Sequence, residues 1–257
     1  MIQKSNGWLK KIGLLSIMVT SLSGCFSNKS HFAPVVNAWY QSSAKNTYLV
    51  RHGDTIYSIA WAFGVDYHSL AVANHLKPPY EIVAGLRLKM TTVPRGQSIK
   101  YTYKASEKRY VKPHVIRKPE KLRERQRDLR YKGPDRIAQW HWPTRGRLVE
   151  RFTPGVAGSQ GIAISGKYGQ PVRAAAKGVV VYSGDGVRGY GNLIIVKHNR
   201  HYLSAYAFNQ RNLVKVGDIV RTGGVIARMG NNDAGRALLY FEIRRDGQPI
   251  NPLRFLR

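Results

Sequence analysis

The 257-residue chain contains a single cysteine, Cys25. One thiol cannot close an intramolecular disulfide, so the fold has no covalent staple. Acids are scarce as well: 14 Asp and Glu face 42 Lys and Arg, a formal net charge of +28. A field of that size suits a polyanion, whether nucleic acid, anionic lipid or an anionic wall polymer; it also serves solubility and nonspecific adhesion. Long apolar runs are missing. The N-terminal one, Ile12 to Leu22, is too short for a comfortable membrane span. No Ser-His-Asp order suggests a hydrolytic triad.

What is present begins with an address. Lys4, Lys10 and Lys11 precede the apolar run, which ends in Leu22-Ser23-Gly24-Cys25. A basic region, an apolar core and small residues make a secretory signal over residues 1–24. The tetrapeptide resembles the bacterial lipobox, which implies that Cys25 is acylated and heads the mature chain. Phe26, rather than Asp, follows it; by resemblance to enterobacterial lipoprotein sorting this implies the periplasmic face of the outer membrane. Export argues against nucleic acid and leaves peptidoglycan, with its stem-peptide carboxylates, as the nearer polyanion. Residues 25–46 are mostly small and polar, as expected of a tether.

A first module spans residues 47–91. Tyr48 to Arg51 reads as a short strand, and Gly53-Asp54-Thr55 as a turn that caps a helix. Ile56, Ile59, Ala60 and Phe63 follow at helical spacing, and Gly64 stops them. Asp66 caps a second short helix with Leu70 and Ala73 inward. Leu86 and Leu88 then alternate as a strand. This βααβ order, with its Gly-Asp-Thr turn, Ile-Ala pair, Asn74 and late Gly-x-x-Leu, resembles a LysM domain. The resemblance implies binding to N-acetylglucosamine-containing glycan strands through Gly53, Asp54, Thr55 and Ile56 on one loop and Ile82 and Val83 on the other. Gly53 and Asp54 are also an ordinary turn and cap.

Residues 92–138 turn strongly basic and are punctuated by Pro94, Pro113, Pro119 and Pro134. Too little apolar material is present for a core, so a disordered linker is expected. It serves equally as a strap along anionic glycan or as a solvated spacer.

Residues 139–257 carry β-branched runs separated by Gly-rich turns, the pattern of an antiparallel sheet, with Asp246-Gly247 as a tight hairpin. Trp140-His141-Trp142-Pro143, Arg188-Gly189-Tyr190-Gly191-Asn192-Leu193 and Asn251-Pro252-Leu253-Arg254 resemble the LytM (lysostaphin-type) zinc metallopeptidase family, in its NlpD-type subgroup. The expected fold class is thus α+β multidomain: a small βααβ module, a basic linker and a mainly antiparallel β domain. In the family, zinc is held by His-x-Gly-x-Asp and His-x-His, and a further His follows an Ala-Tyr strand. Here those positions carry Ser159 and Ala163, Leu238 and Tyr240, and Phe208 after Ala205-Tyr206-Ala207. Leu and Ala have no lone pair for a metal, and a phenol is a poor zinc ligand. His198 and His201 are expected to be a solvent-exposed pair, and His141 to pack between two Trp.

No cofactor, metal or catalytic residue is therefore expected. Ser159, Gln160, Ala163, Tyr206, Phe208, Leu238 and Tyr240 are expected to line an apolar groove with Arg244 at its side, suited to an amphipathic helix carrying an acid. The NlpD-type resemblance implies that the groove activates a periplasmic N-acetylmuramoyl-L-alanine amidase by engaging its regulatory helix. The alternatives are a structural lipoprotein tying outer membrane to wall, and an endopeptidase with an unusual site.

Overall fold

A computed structural model of the chain describes residues 47–90, 137, 139–156 and 159–257. The expected signal, the acylated Cys25, the tether and nearly all of the linker lie outside the described residues. No described helix is long and apolar enough to cross a membrane.

The first module is β1 (Thr47–Leu49), α1 (Ile56–Phe63), α2 (Tyr67–Ala73) and β2 (Arg87–Lys89), with β1 and β2 antiparallel. Thr55 caps α1 through a reciprocal box: its Oγ1 accepts from Ser58 N while Ser58 Oγ accepts from Thr55 N. Gly64 ends the helix in the left-handed region at φ 66°. Asp66 caps α2. Asn74 donates to the Leu70 and Lys89 carbonyls and accepts from Lys89 N, clipping α2 to β2. Ala71, rather than Ala73, turns inward beside Leu70.

The second module holds β3 (Leu148–Glu150), β4 (Ile162–Ser165), β5 (Pro171–Arg173), β6 (Gly178–Gly184), β7 (Asn192–Lys197), β8 (Tyr202–Asn212), β9 (Ile219–Val220), β10 (Val225–Met229), β11 (Leu238–Arg245) and β12 (Gln248–Ile250). The main sheet runs β3-β4-β11-β8-β7-β6-β9, with β12 on β11 and β10 bridging β5 and β8. Asp246 (φ 49°) and Gly247 (φ 76°) form the two-residue β11–β12 turn, the doubly positive geometry that right-twisted hairpins favour.

Side chains alternate across this sheet. Leu239, Phe241 and Ile243 of β11 join Ile162, Ile164, Ile194 and Val196 in one core. Leu238 and Tyr240 face the opposite way with Ala163, Ile195 and Ala205, and there the apolar cluster continues without a break into Ile56, Tyr57 and Trp61 of α1. The two modules share a core through this face.

Candidate functional site: a peptidase face without its ligands

Period-two alternation along β11 brings Tyr240, Glu242 and Arg244 together on the shared face. Glu242, with 0% of its surface exposed, is the hub. Arg244 Nε donates to Glu242 Oε1 at 2.6 Å, and the hydroxyls of Tyr240 and Tyr190 donate to Oε2 at 3.2 and 3.5 Å. Burial pushes the Glu242 carboxyl upward, opposed by the Arg244 guanidinium and the two phenols. Burial also raises both phenols, and the neighbouring carboxylate raises them further. They stay protonated donors. In the sequence Tyr190 stands only within the Gly-rich family motif, and no motif marks Glu242 or Trp61 for this face. Glu242 was legible there as the next inward residue after Tyr240.

Ala163, Phe208, Leu238 and Tyr240, expected to line a groove, are buried together on the shared face. Ala163 pairs with Tyr240 across β4 and β11. The Tyr240 ring lies over Gly161, where any Cβ would collide with it, and packs 6.4 Å from Phe208 and 6.0 Å from Tyr190. Leu238 is buried in the same cluster. Ser159 Oγ donates to Glu150, and Gln160 Oε1 accepts from Arg244 Nη2.

Tyr206 is a correction. It faces the other core, where its hydroxyl accepts from Ala175 N and its ring meets Phe241 at 5.2 Å. Alternation from Ala205 and Ala207 requires this. Phe208 would follow Tyr206 to that far side, but its backbone sits at φ 61° and the β7–β8 register shifts beside it, so it turns back to the groove face. A non-glycine residue held in the left-handed region marks a site the surroundings over-determine.

A second correction concerns openness. Arg244 is not at a rim: only 2% of its surface is exposed. α1 covers it. Arg244 Nη1 donates to the Trp61 carbonyl at 2.7 Å, and its guanidinium lies 3.9 Å from the centre of the Trp61 indole. Desolvated stacking of this kind contributes on the order of 2 kcal/mol. The Trp61 indole N–H lies against the Tyr190 hydroxyl, off the geometry of a full hydrogen bond, and the buried Tyr57 hydroxyl has no partner among the described residues. Elsewhere along the contact, Tyr67 Oη donates to the Arg200 carbonyl at 3.4 Å, and the Gly247 turn presses against the Asp66 backbone.

Two histidine expectations also change. His198 is fully buried. Its Nδ1 meets the Lys177 carbonyl, so Nδ1 carries the proton, and Nε2 lies 2.7 Å from Ser204 Oγ. Burial lowers its pKa to about 4. His201 is partly exposed and pairs with Asp246 at 2.6 Å. His141 is exposed rather than packed, while Trp140 takes the interior place against His198.

On the LysM loops, Gly53 is exposed and Val83 is 70% exposed, while Ile82, Asp54 and Thr55 are half-buried. Asp54 accepts from Tyr48 Oη and Arg51 N, and Thr55 caps α1, so both side chains serve the turn. Ile56 belongs to the module's core.

No group of three or more His, Cys, Asp or Glu among the described residues is placed to hold a metal ion. Residues 157–252 match the model of Peptidase family M23, and residues 48–91 match the LysM domain. The fold and site thus define a class: a LysM module joined to a degenerate M23 domain whose zinc-ligand positions are occupied by side chains that do not bind zinc. "Lipoprotein NlpD/LppB homolog" of Pseudomonas aeruginosa is 37% identical, covering 95% of this chain and 91% of its own length. "Murein hydrolase activator NlpD" of Escherichia coli is 34% identical, covering 84% and 69%. "Uncharacterized lipoprotein YgeR" of Escherichia coli is 35% identical, covering 98% and 96%. The chain belongs to the NlpD/LppB lipoprotein family.

Proposed function

We propose that this protein is a non-catalytic activator of a periplasmic N-acetylmuramoyl-L-alanine amidase in septal wall splitting and cell separation. In this reading Cys25 is acylated, the signal ahead of it is removed, and the lipid anchors the chain at the periplasmic face of the outer membrane. The LysM module holds peptidoglycan glycan strands through the backbone of Gly53 to Ile56 and the apolar Ile82 and Val83. The degenerate face of the second module, centred on Tyr240 and Arg244, engages the amidase's regulatory helix. A murein hydrolase activator among the relatives supports the reading. The observation that carries it is that this face already seats a helix: α1 places Trp61 on Arg244 and gives it a backbone carbonyl. A zinc-binding cleft has been exchanged for a helix seat.

The test must spare the fold. Removing Arg244 alone would strand Glu242 in the core at a cost of about 3–5 kcal/mol, whereas neutralising a buried pair together is close to neutral. The double variant Glu242→Gln/Arg244→Met is therefore expected to fold, by circular dichroism, and to lose amidase-driven dye release from labelled sacculi. Full stimulation by the folded double variant would show that the face is packing only.

A further inference from the structure

The helix on the degenerate face is the chain's own. We infer that α1 of the LysM module is an internal competitor, seated where the partner's helix must bind, so that this activator is closed until the LysM module leaves. The inference rests on the proposed helix seat and adds to it a gate and a description of the partner: a helix that offers Arg244 a flat aromatic or apolar residue and a backbone carbonyl.

α1 is buried on every side. Ile56 to Ala62 are all at or below 5% exposure, although an eight-residue helix in a module this small needs only one face for its own core. The second face, with Tyr57 and Trp61 one turn apart, is spent on the M23-type sheet. The contact is specific at its centre, where Arg244 reads both ring and carbonyl of Trp61. It is close at its edge, where a Cβ on Gly247 would stand 2.5 Å from Asp66 N. It is also incomplete, since the Trp61 and Tyr57 polar atoms are buried without full hydrogen bonds. A contact that buries unmet donors is one a better-matched helix can displace. The glycan loops remain reachable while it is closed: Val83 is 70% exposed, and Gly53 is exposed.

Gly247 gives a test that enters neither module's core. Asn tolerates a positive φ, so Gly247→Asn keeps the β11–β12 turn while driving a side chain into the Asp66 backbone. Trp61→Ala attacks the same contact from the helix side. In the full-length protein, small-angle scattering is expected to show a larger radius of gyration for both variants. Each periplasmic N-acetylmuramoyl-L-alanine amidase of the source bacterium is then titrated with wild type and variants. The concentration for half-maximal dye release is expected to fall on the order of tenfold, as a closed population's penalty is removed. An unchanged radius in both variants would overturn the docking. A larger radius with an unchanged half-maximal concentration would overturn competition and leave the helix seat standing. Failure of the seat itself reads differently: Glu242→Gln/Arg244→Met would stimulate as wild type does. If the seat and the gate are both right, that double variant opens and stays inactive.

Discussion

A buried guanidinium must satisfy its N–H donors inside the protein, and Arg244 does so with one carboxylate, one carboxamide, one carbonyl from another module and the face of an indole. Lysine could not replace it, because an ammonium has no planar surface to stack and no fork to divide between Glu242 and Trp61. Alternation in twos along the strand puts Arg244 on the same face as Tyr240. It could not place Trp61 there, since the two are 183 residues apart. His198 shows the opposite failure, a residue read as exposed that packs at the centre of the fold. Its lowered pKa has a consequence for stability. The unfolded imidazole takes a proton near 6.5, while the buried one resists until about 4. Its contribution is therefore complete above pH 6.5 and is lost as pH falls toward 4, by on the order of 3 kcal/mol. Urea midpoints at pH 7.5 and 4.5 are expected to differ less in His198→Gln than in wild type. Equal drops would show that this histidine is not the acid-sensitive group.

Among the elements, β11 was the most legible and β8 the least. Strict alternation assigns each side chain from Leu238 to Arg244 to one of two buried faces, and Arg245 is exposed. β8 breaks its alternation at Phe208, whose left-handed backbone has no signature in the residue type. Alternation alone takes Tyr206 from the groove face, and that one dihedral admits Phe208 to it. The helices of the first module were legible from their caps, since Thr55, Gly64 and Asp66 are residues of the kind those positions need. Its loops carry a prediction. Full-length protein is expected to sediment with purified sacculi even at 1 M salt, where the Debye length falls to about 3 Å and purely charge-driven adhesion fails. Val83→Glu, at a site with ample room for the new side chain, is expected to remove that salt-resistant fraction without lowering thermal stability. Loss of all binding by wild type at high salt would assign wall affinity to charge alone.

At the scale of the whole molecule, one buried lysine stands at the contact between the modules. Lys197 lies about 6 Å from the Tyr57 and Tyr67 rings, and burial lowers its pKa from 10.5 to about 8. The ring contacts at that distance contribute roughly 0.5 kcal/mol, and burial disfavours the charged ammonium. Lys197→Met keeps the stem and removes the charge. It is expected to tighten the closed form, seen as slower hydrogen exchange across residues 56–63 and weaker amidase stimulation. Faster exchange would mean that the ammonium holds the modules together. The sequence by itself determined the two modules, their strand and helix content, the short βααβ order of the first, and the loss of every zinc-ligand position in the second. Those are local facts, set by periodicity, capping and the chemistry of single side chains. Only the tertiary structure decided that the vacated face is filled by the chain's own helix, that Glu242 organises it and that Arg244 is buried. Each of these depends on contacts between residues far apart in the chain, and an apolar, all-round helix such as Ile56–Phe63 does not carry in its own sequence the identity of the surface it will cover.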